Sequence, residues 1–164
     1  MRGQTVFGGE VRERVGLANQ LLCQTTDDEK FVTLLYGVLD PAAHSFTYTS
    51  AGHDPALVYR ADGGRGQLTS SGVALGVLEE CPYDQEMVPL APGDLIVVYS
   101  DGVTDATNAG NEAFGLDRLE RVVEATLGNS AEQVVESVFA AVEEHAGGED
   151  QFDDLTVVVI RRSP

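Results

Sequence analysis

Two carboxylate positions carry the chemistry that can be read from this sequence. Asp101 follows the apolar run Leu95-Ile96-Val97-Val98-Tyr99-Ser100 and stands directly before Gly102, where the backbone must turn. Asp153 and Asp154 directly precede a second apolar run, Leu155 to Ile160. If the two runs are neighbouring strands, both carboxylates arrive at one edge of a sheet although they are far apart in the chain. Carboxylates brought that close raise each other's pKa unless a cation lies between them. Oxygen donors suit hard divalent ions such as Mg²⁺ and Mn²⁺, which keep several waters. A water held there becomes a better nucleophile toward phosphorus. The same residues also read as an ordinary Asp-Gly turn and a polar strand entry, and spacing alone leaves both readings open.

The elements that would position these residues follow from periodicity. Residues 10–22 place Val11, Val15, Ala18 and Leu22 at helical spacing, and the polar stretch from Gln24 to Lys30 ends that helix. Phe31 to Leu39 reads as a buried strand stopped at Asp40-Pro41. His44 to Ser50, alternating around Phe46 and Tyr48, is expected to pair with it antiparallel. Ala56 to Arg60 is a further strand running into the turn Ala61-Asp62-Gly63-Gly64. Leu68 to Leu78 is glycine-punctuated loop and short strand, Tyr83 to Leu90 alternates like an edge strand, and Leu95 to Ser100 is a central strand, apolar on both faces. Phe114 to Leu127 and Ala131 to His145 are helices, with Ser130 as an N-cap, and Leu155 to Ile160 is the last strand. Antiparallel runs of strands and paired helices indicate an α+β fold rather than a doubly wound parallel sheet. The chain opens on an amphipathic helix with no strand before it, so the sheets are expected to lack members.

The chain has 164 residues, 43% of them hydrophobic, which suits a single domain spanning 1–164 with a real core and excludes general disorder. Twenty-seven acidic against ten basic residues leave a net charge of −17. Such a chain repels phosphate backbones and anionic membrane surfaces, so neither nucleic acid nor membrane is an expected partner. No apolar run approaches the roughly 18–20 residues needed to cross a bilayer. Met1-Arg2-Gly3-Gln4-Thr5 is followed by no apolar segment, so it reads as no signal peptide, and a cytoplasmic location is expected. Cys23 and Cys81 fit neither a metal motif nor a disulfide framework and read as buried free thiols.

Sequence context narrows the choice at Asp101. Tyr99-Ser100-Asp101-Gly102-Val103-Thr104-Asp105-Ala106 closely resembles the Ser-Asp-Gly signature of the metal-dependent protein phosphatases of type 2C. Within them it resembles the bacterial stage II sporulation E-like branch that regulates sigma factors. Three more stretches agree, in that branch's order: Ala51-Gly52-His53-Asp54-Pro55-Ala56-Leu57, Leu90-Ala91-Pro92-Gly93-Asp94 and Gln151-Phe152-Asp153-Asp154-Leu155-Thr156. Phe114-Gly115-Leu116-Asp117-Arg118-Leu119 also looks like the helix entry after the signature, and the resemblance runs from Gly9 to Arg162.

The resemblance implies a sandwich of two antiparallel sheets flanked by helix pairs, with a centre for two ions, Mn²⁺ or Mg²⁺, at one end. It implies removal of phosphate from phosphoserine or phosphothreonine by a metal-bound water, with no side chain acting as nucleophile and no phosphoenzyme. Asp101 and Asp153 match metal-ligand aspartates, and Asp105 matches a position that some members use for a weaker third ion. Asp154 is a neighbouring polar residue. The implied substrate is a phosphoprotein, such as an anti-sigma-factor antagonist; the oligomeric state stays open. The family's pattern begins with a strand ending in a Gly-Asp-Val-x-Gly-x-Gly-like motif whose Asp bridges both metals. No such stretch precedes Val11, and Phe7-Gly8-Gly9-Glu10 has the wrong order. The chain therefore reads as an N-terminally shortened phosphatase-like domain with a weakened or lost binuclear site. An edge left unpaired by the missing strand would invite dimerisation.

His53 could act as an acid-base group but also reads as a hydrogen-bonded turn histidine. His44 and His145 are expected on solvated surface. Gly63-Gly64-Arg65-Gly66 reads as a hairpin tip, since it opens no helix and lacks the Walker lysine. Arg60 and Arg65 could meet a phosphoprotein, or only solubilise the surface. Two functions are carried forward: a metal-dependent serine/threonine phosphatase, and a catalytically inactive interaction module of the same fold. A plain acidic α+β binding domain is the third reading.

Overall fold

The computed structural model describes residues 10–26, 30–69, 71–149 and 153–163. In chain order its elements are α1 (Val11–Thr25), β1 (Leu34–Asp40), β2 (Ser45–Ala51), β3 (Ala56–Tyr59), β4 (Arg65–Leu68), β5 (Glu86–Pro89), β6 (Leu95–Tyr99), α2 (Asp101–Asp105), α3 (Leu116–Ala125), α4 (Ala131–Ala146) and β7 (Val157–Arg161). They fall into two compact units, Met1–His53 with Thr69–Leu90, and Asp54–Leu68 with Ala91–Pro164. Each unit holds one antiparallel sheet, so the class is α+β as expected.

In the first unit the strand order is β1-β2-β5. The expected pairing of the first two strands is present, in register from Leu34↔Ala51 to Asp40↔Ser45, and β5 lies at the far edge. One expectation changes. Among the described residues β1 is an edge strand rather than a buried one, with Val38 and Leu39 exposed, because a continuous apolar run does not say how many of its faces are covered. Helix α1 buries Val11 and Val15, and Val15 packs with Ala51, Leu75 and Tyr83. The helix ends at Thr25, inside the polar stretch expected to stop it. The hydroxyls of Thr25 and Thr26 donate back to the carbonyls of Leu21 and Leu22, and the Thr26 N–H also donates to Leu22, in the last turn of the helix. Asn19, only 1% exposed, ties α1 to the following loop. Its amide donates to the carbonyls of Leu78 and Glu79 and accepts from the Gly76 N–H. Cys23 and Cys81 are free thiols, half-buried rather than buried.

In the second unit the order is β4-β3-β6-β7, every neighbour antiparallel. The inward residues obey the two periods expected of strand and helix. Leu57 and Tyr59 of β3, and Leu95, Val97 and Tyr99 of β6, meet Leu119 and Val123 of α3 and Val134, Val138 and Val142 of α4. Each such side chain contributes roughly 1.5–3 kcal/mol by leaving water. Ser130 caps α4 as expected: its hydroxyl accepts from the Gln133 N–H at 3.2 Å while the Gln133 side chain accepts from the Ser130 N–H. The β3–β4 hairpin turns over Ala61 to Gly64, closed by the Arg60 N–H donating to the Gly64 carbonyl at 2.8 Å.

Arg60 is not a lone surface arginine. It pairs with Asp94 at 2.7 Å, and Asp94, 2% exposed, also accepts from the N–H groups of Ala61 and Ala91, both at 2.9 Å. Arg65 pairs with Glu124 and lies over the Tyr59 ring. No helix among the described residues is long and apolar enough to cross a membrane.

Candidate metal centre

The pairing of β6 with β7 brings the two carboxylate positions together. Their register runs from Leu95↔Arg161 to Tyr99↔Val157, so the residues after Tyr99 and those before Val157 leave the sheet at the same end. The Ser100 N–H extends the ladder by donating to the Thr156 carbonyl at 3.0 Å. Here β6 turns. The Ser100 carbonyl accepts from the Val103 N–H at 3.0 Å and opens α2. Asp101, expected in a turn, is thus the first residue of a short helix.

Asp101 and Asp153 are both exposed. Among the described residues their Oδ1 atoms accept local bonds, from the N–H of Gly102 at 2.9 Å and of Asp154 at 2.7 Å. Asp105 closes α2 four residues on, so it shares a face with Asp101. Gly102 is where the two segments touch: a Cβ there would lie 2.5 Å from the Asp154 carbonyl oxygen. Backbone cannot yield to that contact. Gly102→Ala is therefore expected to cost about 1–3 kcal/mol, read as a lower urea midpoint, and to displace the Asp153–Asp154 amide resonances in an NMR spectrum.

Among the described residues no three His, Cys, Asp or Glu form a ready metal cluster. What the structure brings to one sheet end is a pair of exposed, oxygen-only donors. That set fits a hard divalent ion, which takes one or two carboxylates and keeps its waters; it does not amount to an all-protein cage. Gln151 and Phe152, and the stretch Phe7 to Gly9, lie outside the described residues.

Tyr99 is buried, and that burial, with the charges of Asp54 and Glu120, pushes its hydroxyl up to about 12, so it stays protonated at neutral pH. His53 is half-buried. His145, expected on solvated surface, is half-buried. Its ring meets Phe114 edge-on at 5.6 Å, and its Nε2 bonds the Glu112 carbonyl at 2.8 Å. Two residues escaped the reading of the sequence. Ser100, an N-cap residue type directly before Asp-Gly, was a usable signal; nothing in Pro92-Gly93-Asp94 distinguished a buried carboxylate from an ordinary turn.

The family model for stage II sporulation protein E (SpoIIE) matches residues 1–163. Protein IcfG of Synechocystis is 31% identical over 137 residues, covering 84% of this chain and 22% of that protein. Phosphoserine phosphatase RsbU of Bacillus subtilis is 31% identical over 145 residues, covering 88% of this chain and 43% of that protein. The chain thus spans less than half the length of either relative. Among solved structures, the SiaA-PP2C domain of Pseudomonas aeruginosa superposes with a TM-score of 0.79 at 19% identity, covering 92% of this chain and 60% of that one. A structure of the PP2C phosphatase domain with a fragment of the regulatory domain of SpoIIE from Bacillus subtilis gives 0.75 at 22% identity, covering 94% and 44%. At these identities the structures speak for the fold.

Proposed function

The chain belongs to the stage II sporulation protein E family of type 2C phosphatase domains, and from that membership we propose that it hydrolyses phosphoserine or phosphothreonine on a regulatory phosphoprotein, with Mn²⁺ or Mg²⁺ held by Asp101 and Asp153. The observation that carries this reading is the arrival of both carboxylates at one sheet end through the β6–β7 pairing. Asp105, on the Asp101 face of α2, serves a weaker third site.

When bound, the ion supplies positive charge for the phosphoryl oxygens and lowers the pKa of a coordinated water. The protein's own part is positional. The exposed carboxylates stand where a phosphorylated side chain on another protein can reach them. A chain of net charge −17 repels such a substrate until cations offset the local field. The relative named a phosphoserine phosphatase supports this substrate class, and an anti-sigma-factor antagonist, met in the cytoplasm, is the partner proposed.

A second reading, an inactive interaction module of the same fold, is favoured by one observation: among the described residues no three His, Cys, Asp or Glu gather into a metal cluster. Hydrolysis of a phosphothreonine peptide with and without millimolar Mn²⁺ separates the two. Turnover that appears with Mn²⁺ and disappears with a chelator supports the enzyme. A folded chain that shows none supports the module.

A further inference from the structure

The hydroxyl of Ser100 has an unusual occupation. Ser100 is the N-cap of α2, yet its side chain makes no capping bond to that helix, although this is what a serine there ordinarily does. Instead the Oγ accepts from the Thr156 N–H at 3.0 Å and donates to the Asp154 carbonyl at 3.0 Å. The Ser100 N–H completes the set on the Thr156 carbonyl. In an antiparallel ladder the Thr156 N–H would be met by the Ser100 carbonyl, but that carbonyl has turned away to accept from Val103. The side-chain oxygen therefore stands in for the main-chain one.

We propose that Ser100 is a positioning residue for the metal centre: its hydroxyl lets β6 turn into α2 at Asp101 while keeping the Asp153–Asp154 segment bonded to the strand end. The inference rests on the proposed roles of Asp101 and Asp153. Without the hydroxyl, the Thr156 N–H and Asp154 carbonyl lose their partner, and both are exposed enough for water to replace it. The sheet then survives while the two carboxylates lose their fixed spacing. Loss of such an outer support typically lowers metal affinity 10–100-fold.

The test uses the full chain and its Ser100→Ala, Ser100→Thr and Asp101→Asn variants, with Mn²⁺ binding by calorimetry and amide hydrogen exchange without metal. Ser100→Ala is expected to speed exchange at Thr156 by about tenfold or more and to weaken Mn²⁺ binding about 10–100-fold, with the far-ultraviolet spectrum unchanged. Ser100→Thr, which keeps the oxygen, should stay within about threefold of the parent in both. Unchanged Thr156 exchange in Ser100→Ala overturns the clamp whatever the metal does. Faster exchange with unchanged Mn²⁺ affinity, while Asp101→Asn loses that affinity, overturns the positioning role and leaves the metal centre standing. A parent chain that binds no Mn²⁺, or binds it no better than Asp101→Asn, overturns the metal centre and with it the role given to Ser100.

Discussion

Asp101→Asn is expected to lower Mn²⁺-dependent hydrolysis of a phosphothreonine peptide by on the order of 10²–10³-fold, the scale of losing one electrostatic group aimed at a reacting centre. The substitution is nearly isosteric, and the amide oxygen can still accept the Gly102 N–H now taken by Oδ1. Asp101 is exposed, so no buried partner is orphaned by the change. The fold is therefore expected to hold, with a urea midpoint close to that of the parent, while the charge that would bind a divalent ion is gone. Asp153→Asn should behave alike, since the Asp154 N–H can likewise keep its acceptor. Steady-state rates at saturating Mn²⁺ measure the effect. Equal rates in parent and Asp101→Asn would remove the role assigned to that residue.

The largest expected effect on stability lies away from the site. Asp94→Ala leaves the Arg60 guanidinium and the N–H groups of Ala61 and Ala91 without their common acceptor. The Arg60 side chain keeps 31% exposure, so most of the cost comes from the two main-chain donors, each about 1–3 kcal/mol once its acceptor is gone. Burial opposes ionisation of Asp94, but the Ala61 N–H, the Arg60 side chain and the Ala91 N–H more than offset it, holding its pKa below the ordinary 3.8. A carboxyl more acidic in the folded than in the unfolded chain stabilises fully above the unfolded value, and the gain is lost as pH falls through the folded one. The gap in unfolding free energy between parent and Asp94→Ala should thus be constant at neutral pH and narrow below 3.8. Urea denaturation at about pH 7 and at about pH 3 measures both arms. A gap that widens in acid would contradict this account.

Asp94 also marks where the sequence stops being informative. A Pro-Gly-Asp turn announces a bend, but nothing local says that its carboxylate lies 2% exposed against an arginine from the β3–β4 hairpin. The partners of Arg60 and His145 are hidden for the same reason, the His145 ring finding Phe114 across a loop. In each case the partner is distant in the chain and reached through a side chain, which leaves no periodic trace.

What the sequence determined by itself is local or periodic. The valines of α4 and the alternating residues of β6 mark their elements because helix and strand repeat with different periods. Ser130 marks a helix start because its hydroxyl can reach an orphaned N–H. The ordered motifs around Asp101 and Asp153 identified the family. Tertiary structure alone decided that β6 and β7 are neighbours in a register ending at Tyr99↔Val157, and that Asp101 begins a helix rather than a turn. It also decided that the Ser100 hydroxyl bonds the opposite segment. Strand partners are chosen by the packing of a whole sheet against α3 and α4, and the free energy that selects them is spread over many side chains, so no short stretch of sequence contains it.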